Sequence, residues 1–171
     1  MKQLRLRAED GEDLRVISAV LQDALVAMTD MEFLGGEHCF AMVANRFRWE
    51  NCDIAEADAA QEEPAPVQPA TESPTVYDDI AFQPCRSYER VNCGIRFDGV
   101  SAVRCKGIDR NDRGQILELL AIQVEPGAVI MLFAGGSALR LEGDSITCHL
   151  QDLGEPWPTT WRPRHPVADT A

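Results

Sequence analysis

Arg46 and Arg48 stand two residues apart, and Arg104 and Lys106 repeat that spacing. On a strand it puts both side chains of a pair on one face, and two such faces brought together would hold an anionic ligand or an acidic partner. His38-Cys39 and Cys148-His149 set a nitrogen and a sulfur donor side by side, which is zinc chemistry. Zinc needs about four converging ligands, however, and neighbours on a strand point to opposite faces, so each dipeptide offers one. The expectation is buried thiols beside exposed histidines, with no metal and no cofactor. Asp109, Asn111 and Gly114 match the first half of a calcium loop, but Arg113 at its fifth position and Leu120 at its twelfth break the second half. Trp157 and Trp161, spaced among Pro156, Pro158 and Pro163, form an aromatic, proline-rich tail that must either fold back into a groove or meet a partner.

Gly143-Asp144-Ser145-Ile146 resembles the nucleophile block of the Gly-Asp-Ser-Leu hydrolases. In that family the histidine base lies far downstream, and here His149 follows within one helical turn, so a helix cap accounts for Asp144-Ser145 equally well. Ala134-Gly135-Gly136-Ser137 lacks the lysine and following helix of a phosphate-binding loop and reads as a turn. No catalytic residue is assigned.

The elements that would position these residues follow from periodicity. Asp10 to Asp13 can cap a short amphipathic helix carrying Leu14, Ile17 and Leu21. Turn signals at Gly35-Gly36, Asp98-Gly99, Pro126-Gly127 and Gly135-Gly136 then separate apolar segments of strand length. They delimit seven strands: Ala24 to Leu34, His38 to Trp49, Ser87 to Phe97, Val100 to Ile108, Ile116 to Val124, Val129 to Ala134 and Ala138 to Leu141. Ile146, Leu150 and Leu153, with Gly154 as a stop, predict a C-terminal capping helix. The predicted fold is α+β and mainly antiparallel β, with the element order of a pleckstrin-homology-like seven-stranded barrel or sandwich. Fold analogy of this kind carries no function.

Residues 51–84 contain no Lys or Arg, whereas Asp53, Glu56, Asp58, Glu62, Glu63, Glu72, Asp78 and Asp79 supply eight of the negative charges behind the formal −12. Prolines interrupt the same stretch, which has little to bury and predicts a disordered acidic insert in a single domain spanning 1–154, followed by the tail 155–171. The rest of the chain carries only −4 of the formal −12. An acidic chain forgoes phosphate neutralisation, so nucleic acid is not an expected partner. The absence of a signal-length apolar run, and of any apolar run beyond Val129 to Ala134, predicts a cytoplasmic protein without a membrane span. Its six cysteines, none paired as Cys-x-x-Cys, are then expected to be thiols.

Asp13-Leu14, Ile17-Ser18, Gln22-Asp23-Ala24, Asn45 to Glu50, Lys106 to Asp109, Leu120 to Ile122, Phe133 to Gly136 and Asp152 to Gly154 together resemble the alphaproteobacterial family called domain of unknown function 2948. The resemblance spans nearly the whole chain outside the acidic insert. It implies an alphaproteobacterial, cytosolic protein and brings no activity or site residue with it. The functional expectation is therefore a non-enzymatic module for a protein or peptide partner. The alternative is a binder of a small anionic ligand, or an enzyme, with Arg46, Arg48, Arg104 and Lys106 at a barrel mouth.

Overall fold

The computed structural model describes residues 3–51 and 88–163. Apart from Asn51, the acidic stretch 51–84 lies outside them, as do Cys52, Cys85 and the tail beyond Pro163.

The first leucines alternate with arginines, and that alternation makes a strand, β1 (Arg5–Ala8), with Leu4, Leu6 and Ala8 turned inward and Arg5 and Arg7 exposed. Asp10 then caps helix α1 (Gly11–Val20): its Oδ1 accepts from the backbone N–H of Glu12 and of Asp13, each at 2.9 Å. Glu12 and Asp13 sit in the first turn, where the helix dipole favours anions. Leu14, Ile17 and the following Leu21 go into the core, as their spacing predicts.

Nine further strands follow among the described residues: β2 (Ala24–Ala27), β3 (Met31–Leu34), β4 (Cys39–Phe47), β5 (Tyr88–Asp98), β6 (Ala102–Lys106), β7 (Ile116–Glu125), β8 (Ala128–Phe133), β9 (Ala138–Glu142) and β10 (Thr147–Thr159). They pair antiparallel in the order β1-β10-β5-β4-β2-β7-β8-β9-β6, with β3 attached to β4. The helix α1 packs on β7 and β1, and the Ser18 hydroxyl accepts from the Ile122 backbone N–H at 2.8 Å. The antiparallel α+β class holds. No described helix is long and apolar enough to cross a membrane.

Three sequence-based expectations change. The sheet does not close into a barrel: β1 and β6 stand at its ends and do not pair with each other. The predicted strand Ala24 to Leu34 breaks at a 3-10 turn, Met28–Asp30. Its first half leaves to pair with β7, its second stays on β4, and β2 keeps a single registered pair with β4, Leu25↔Asn45. The C-terminal capping helix is instead the longest strand, β10, running between β1 and β5. Ile146, Leu150 and Leu153 fit a helical period, but the buried residues are Cys148, Leu150 and Asp152, which is the period of a strand. A polar residue in the inward row concealed that alternation.

The core forms where the inward rows meet: Phe40, Met42 and Ala44 of β4, Cys93, Ile95 and Phe97 of β5, Leu117 and Leu119 of β7, Met131 and Phe133 of β8, and Leu139 and Leu141 of β9. Phe40 and Phe97 face each other across β4 and β5, their ring centroids 6.4 Å apart.

Candidate functional site

The inward row of β4 runs Phe40, Met42, Ala44 and then Arg46, a guanidinium with 0 % exposure. A charge so placed must be answered by carboxylates. Two reach it. Across β5, Asp152 of β10 accepts from Arg46 Nε through Oδ1 at 2.8 Å and from Nη2 through Oδ2 at 2.9 Å. From the 3-10 turn Trp49–Asn51, Glu50 accepts from Nη1 at 3.0 Å and from Nη2 at 2.8 Å. Burial alone would lower the arginine's pKa, but these hydrogen bonds outweigh it and raise it. Burial would raise that of Glu50, and the guanidinium beside it lowers it instead. Asp152 also accepts from the Leu4 backbone N–H at 3.1 Å, while its own N–H donates to the Leu4 carbonyl at 2.9 Å. One carboxylate thereby ties β10, β4 and the segment entering β1.

Arg48 extends the network. It bonds Glu50 and, through Nη1, Glu89, and its backbone N–H donates to the Glu89 carbonyl at 2.9 Å. Asn51 Nδ2 donates to Glu89 Oε2 at 2.7 Å. The chain leaving β4 and the chain entering β5 are thus clasped at the two roots of the acidic insert.

On the other side of the sheet, Phe47 is covered by rings. Trp49 lies with its centroid 4.6 Å away and Tyr88 5.6 Å away. Trp49 is oriented by a 3.0 Å hydrogen bond from Nε1 to the Gln22 carbonyl. Arg90, paired with Phe47 across the strands, stands 5.8 Å above its ring. Its Nη1 donates to Asn45 twice, to the side-chain oxygen at 2.9 Å and to the carbonyl at 3.3 Å, filling the gap where β2 diverges from β4. Trp161 and Arg162 arrive beyond the end of β10, Arg162 lying 5.9 Å over the Tyr88 ring. Together with Leu25 and Glu118 these residues line a groove of about 1220 Å³, open to solvent, on which Trp161 remains 73 % exposed.

The four cations singled out from sequence do not make one site. Arg46 and Arg48 converge on Glu50, but as a carboxylate-answered pair with Arg46 inside the core. Arg104 and Lys106 are on β6 at the sheet's end, separated from β4 by four intervening strands, and Arg104 bonds Glu142 at 2.8 Å. Trp157 pairs with Arg90 on β5 after a bulge between Leu153 and Trp157, so the tail folds back along the sheet as an extension of β10. It is 37 % exposed. Cys39 and Cys148 are buried while His38 and His149 are exposed; His149 lies on the opposite face of β10 from Cys148, whereas His38 precedes β4 in a left-handed turn conformation. Among the described residues no cluster of three metal-ligating side chains occurs. Ser145 stands in the turn before β10, its carbonyl against Gly99. Asp109 and Asp112 each accept from a backbone N–H two residues on, Asn111 and Gly114 respectively; this is turn chemistry.

Glu50, Glu89, Asp152, Trp49, Tyr88 and Arg90 were not anticipated as site residues. Asn45-Arg46-Phe47-Arg48-Trp49-Glu50 did carry a signal, since a strand that alternates Arg with aromatics cannot place both types in water. The model for the family described as protein of unknown function (DUF2948) matches residues 4–165. No curated protein and no solved structure matches the chain.

Proposed function

The chain belongs to the DUF2948 family, and we propose that it acts as a cytoplasmic, non-enzymatic module that binds a protein or peptide in the groove beside Trp49, Tyr88 and Trp161. The carrying observation is that groove, a wide and open cleft in which three aromatic rings and Leu25 stand beside charged groups. Such surfaces suit extended peptides, because rings give contact area at little entropic cost while the rim supplies hydrogen bonds. The clustered ionisable groups nearby are occupied with one another, which supports binding over chemistry: Arg46 with Asp152 and Glu50, Arg48 with Glu50 and Glu89.

A random peptide library displayed on phage, selected against the immobilised full chain, tests the reading. Enriched peptides should bind in solution with micromolar affinity and lose roughly tenfold or more on Trp161→Ala combined with Tyr88→Ala, given the share of binding energy that interface aromatics carry. Peptides that bind both proteins equally, or a selection that enriches none, would overturn it.

A further inference from the structure

Most arginines of the sheet face carboxylates. Arg46 has Asp152 and Glu50, Arg48 has Glu50 and Glu89, Arg96 has Asp98, Arg104 has Glu142, and Arg140 has Glu125 and Glu142. Arg90 differs. It is 9 % exposed, yet no carboxylate lies within ion-pair distance of it among the described residues. Nη1 is held by Asn45 and one face of the guanidinium rests over Phe47. Those contacts explain its position at the split between β2 and β4. They leave Nε and Nη2 without a hydrogen-bond acceptor among the described residues, on a side chain that lines the groove. Burial lowers its pKa, with Asp23 and Glu118 acting on it by charge from outside bonding distance.

A largely buried guanidinium whose spare donors still reach the groove, beside three aromatic rings, has the parts of a carboxylate-reading pocket. Arg162 adds a second cation at the Tyr88 ring. Glu118 is exposed on the same groove and works against an incoming anion. The rings favour a stiff, extended chain, as proline-rich segments are when they dock on aromatic grooves.

We infer that Arg90 is the specificity-determining residue of this groove and that the ligand is an acidic, proline-containing peptide in extended conformation, whose carboxylate takes the Nε and Nη2 donors of Arg90 while its flanking residues lie on Trp49, Tyr88 and Trp161. The inference rests on the groove being a peptide site.

The test uses the full-length protein and an array of ten-residue proline-rich peptides, each with one central Asp or Glu, beside matched peptides with Asn or Gln at that position. Wild type should prefer the acid over the amide by about tenfold or more, the scale of a charge-assisted hydrogen bond to a buried partner. Arg90→Met keeps the stem over Phe47 and should reduce that ratio towards one, and Arg90→Lys, which keeps the charge without the fork, should leave an intermediate ratio. Glu118→Gln should tighten the acidic peptides alone. Trp161→Ala should weaken acid and amide alike. Thermal unfolding of each variant establishes that it is folded. If Arg90→Met does not fold, the Glu118→Gln and Arg90→Lys ratios decide.

Peptides that bind with no preference for the acid, or a preference that survives Arg90→Met, overturn the assignment of Arg90 while the groove remains a peptide site. Binding of none of the peptides overturns the ligand class. If the phage selection also fails, the peptide-site reading falls with it. Competition by free acetate or succinate at the concentration effective for the peptides would mark a small-anion site and likewise overturn the proposal.

Discussion

A buried arginine is a liability that its partners turn into a constraint. Arg46 lies in the core row with 0 % exposure, and Asp152 is the carboxylate that shares its burial. Removing Asp152 leaves the buried guanidinium answered by the half-exposed Glu50 alone, with Nε stripped of its acceptor, so Asp152→Ala should destabilise the fold by roughly 3 kcal/mol. Replacing both members, Arg46→Met with Asp152→Leu, should cost less than Asp152→Ala alone, because no buried guanidinium is then left short of an acceptor, while Glu50 keeps Arg48 as its partner. Urea midpoints for the three proteins check this. A double variant no better than the single one would show that the ion pair contributes shape or strand-linking bonds beyond neutralisation. Two core thiols make a second prediction. Burial pushes both Cys93 and Cys148 up to about 12 from 9.0. The unfolded chain then releases these protons at lower pH than the folded one. Their contribution is complete below about pH 9 and is lost as pH rises towards 12. The urea midpoint of wild type should fall more steeply between pH 8.5 and 10.5 than that of a Cys93→Ala, Cys148→Ala variant, whatever the variant's lower starting stability; parallel slopes would contradict the assignment.

At the scale of elements, the turn before β10 shows how a motif can be read in the wrong currency. Gly143-Asp144-Ser145 looks like the setting of a nucleophile, but its demand is for space. A Cβ on Gly143 would lie 2.1 Å from the Gly99 carbonyl oxygen, and one on Gly99, whose φ is +85°, would lie 2.2 Å from that of Ser145. Backbone meets backbone there, and neither side can swing away. Gly143→Ala should therefore cost about 3 kcal/mol, whereas Gly114→Ala, at ordinary contact distance from Asp112, should stay within about 0.5 kcal/mol. Thermal and urea unfolding of the pair measures the contrast, and equal stabilities would refute the packing account. The same elements show what was legible beforehand. The helix over Leu14 and Ile17 and the strands β4 to β9 follow from periodicity and turn residues because local pattern and tertiary role agree there. The break at Met28–Asp30 has no local signal, since it comes from β2 and β3 choosing different partners. β10 was hidden by Asp152, an inward residue whose polarity is explained only by Arg46, 106 positions away in sequence. The groove was hidden for a related reason: Arg90 shares the outward phase of Asn92 and Arg96, and it is held against the Phe47 ring and Asn45 of the neighbouring strand. Partners distant in sequence decide burial at both places.

At the scale of the whole molecule, the clasp between β4 and β5 joins the two points where the acidic stretch leaves and re-enters the described sheet. Phe47 pairs with Arg90, the Arg48 N–H donates to the Glu89 carbonyl, and Asn51 reaches the Glu89 carboxylate. The two roots are therefore held together by bonds among residues 46–51 and 88–90. Replacing residues 53–86 with about six Gly and Ser residues should leave the fold intact. Closure entropy changes by about 0.6 kcal/mol for each halving of loop length, so the shorter connection should raise stability by roughly 1–2 kcal/mol. The charge removed is large, eight acidic residues against the one Arg86, a net −7 of the formal −12, and its loss should make unfolding less sensitive to salt as self-repulsion falls. Circular dichroism with thermal unfolding at low and high ionic strength reads both effects. A shortened protein that keeps the β-sheet signal, melts cooperatively at or above the parent temperature and responds less to salt meets the expectation. Loss of cooperative melting would mean that residues 53–86 contribute packing to the domain, and that the Arg48–Glu89–Asn51 clasp is not sufficient to join its halves.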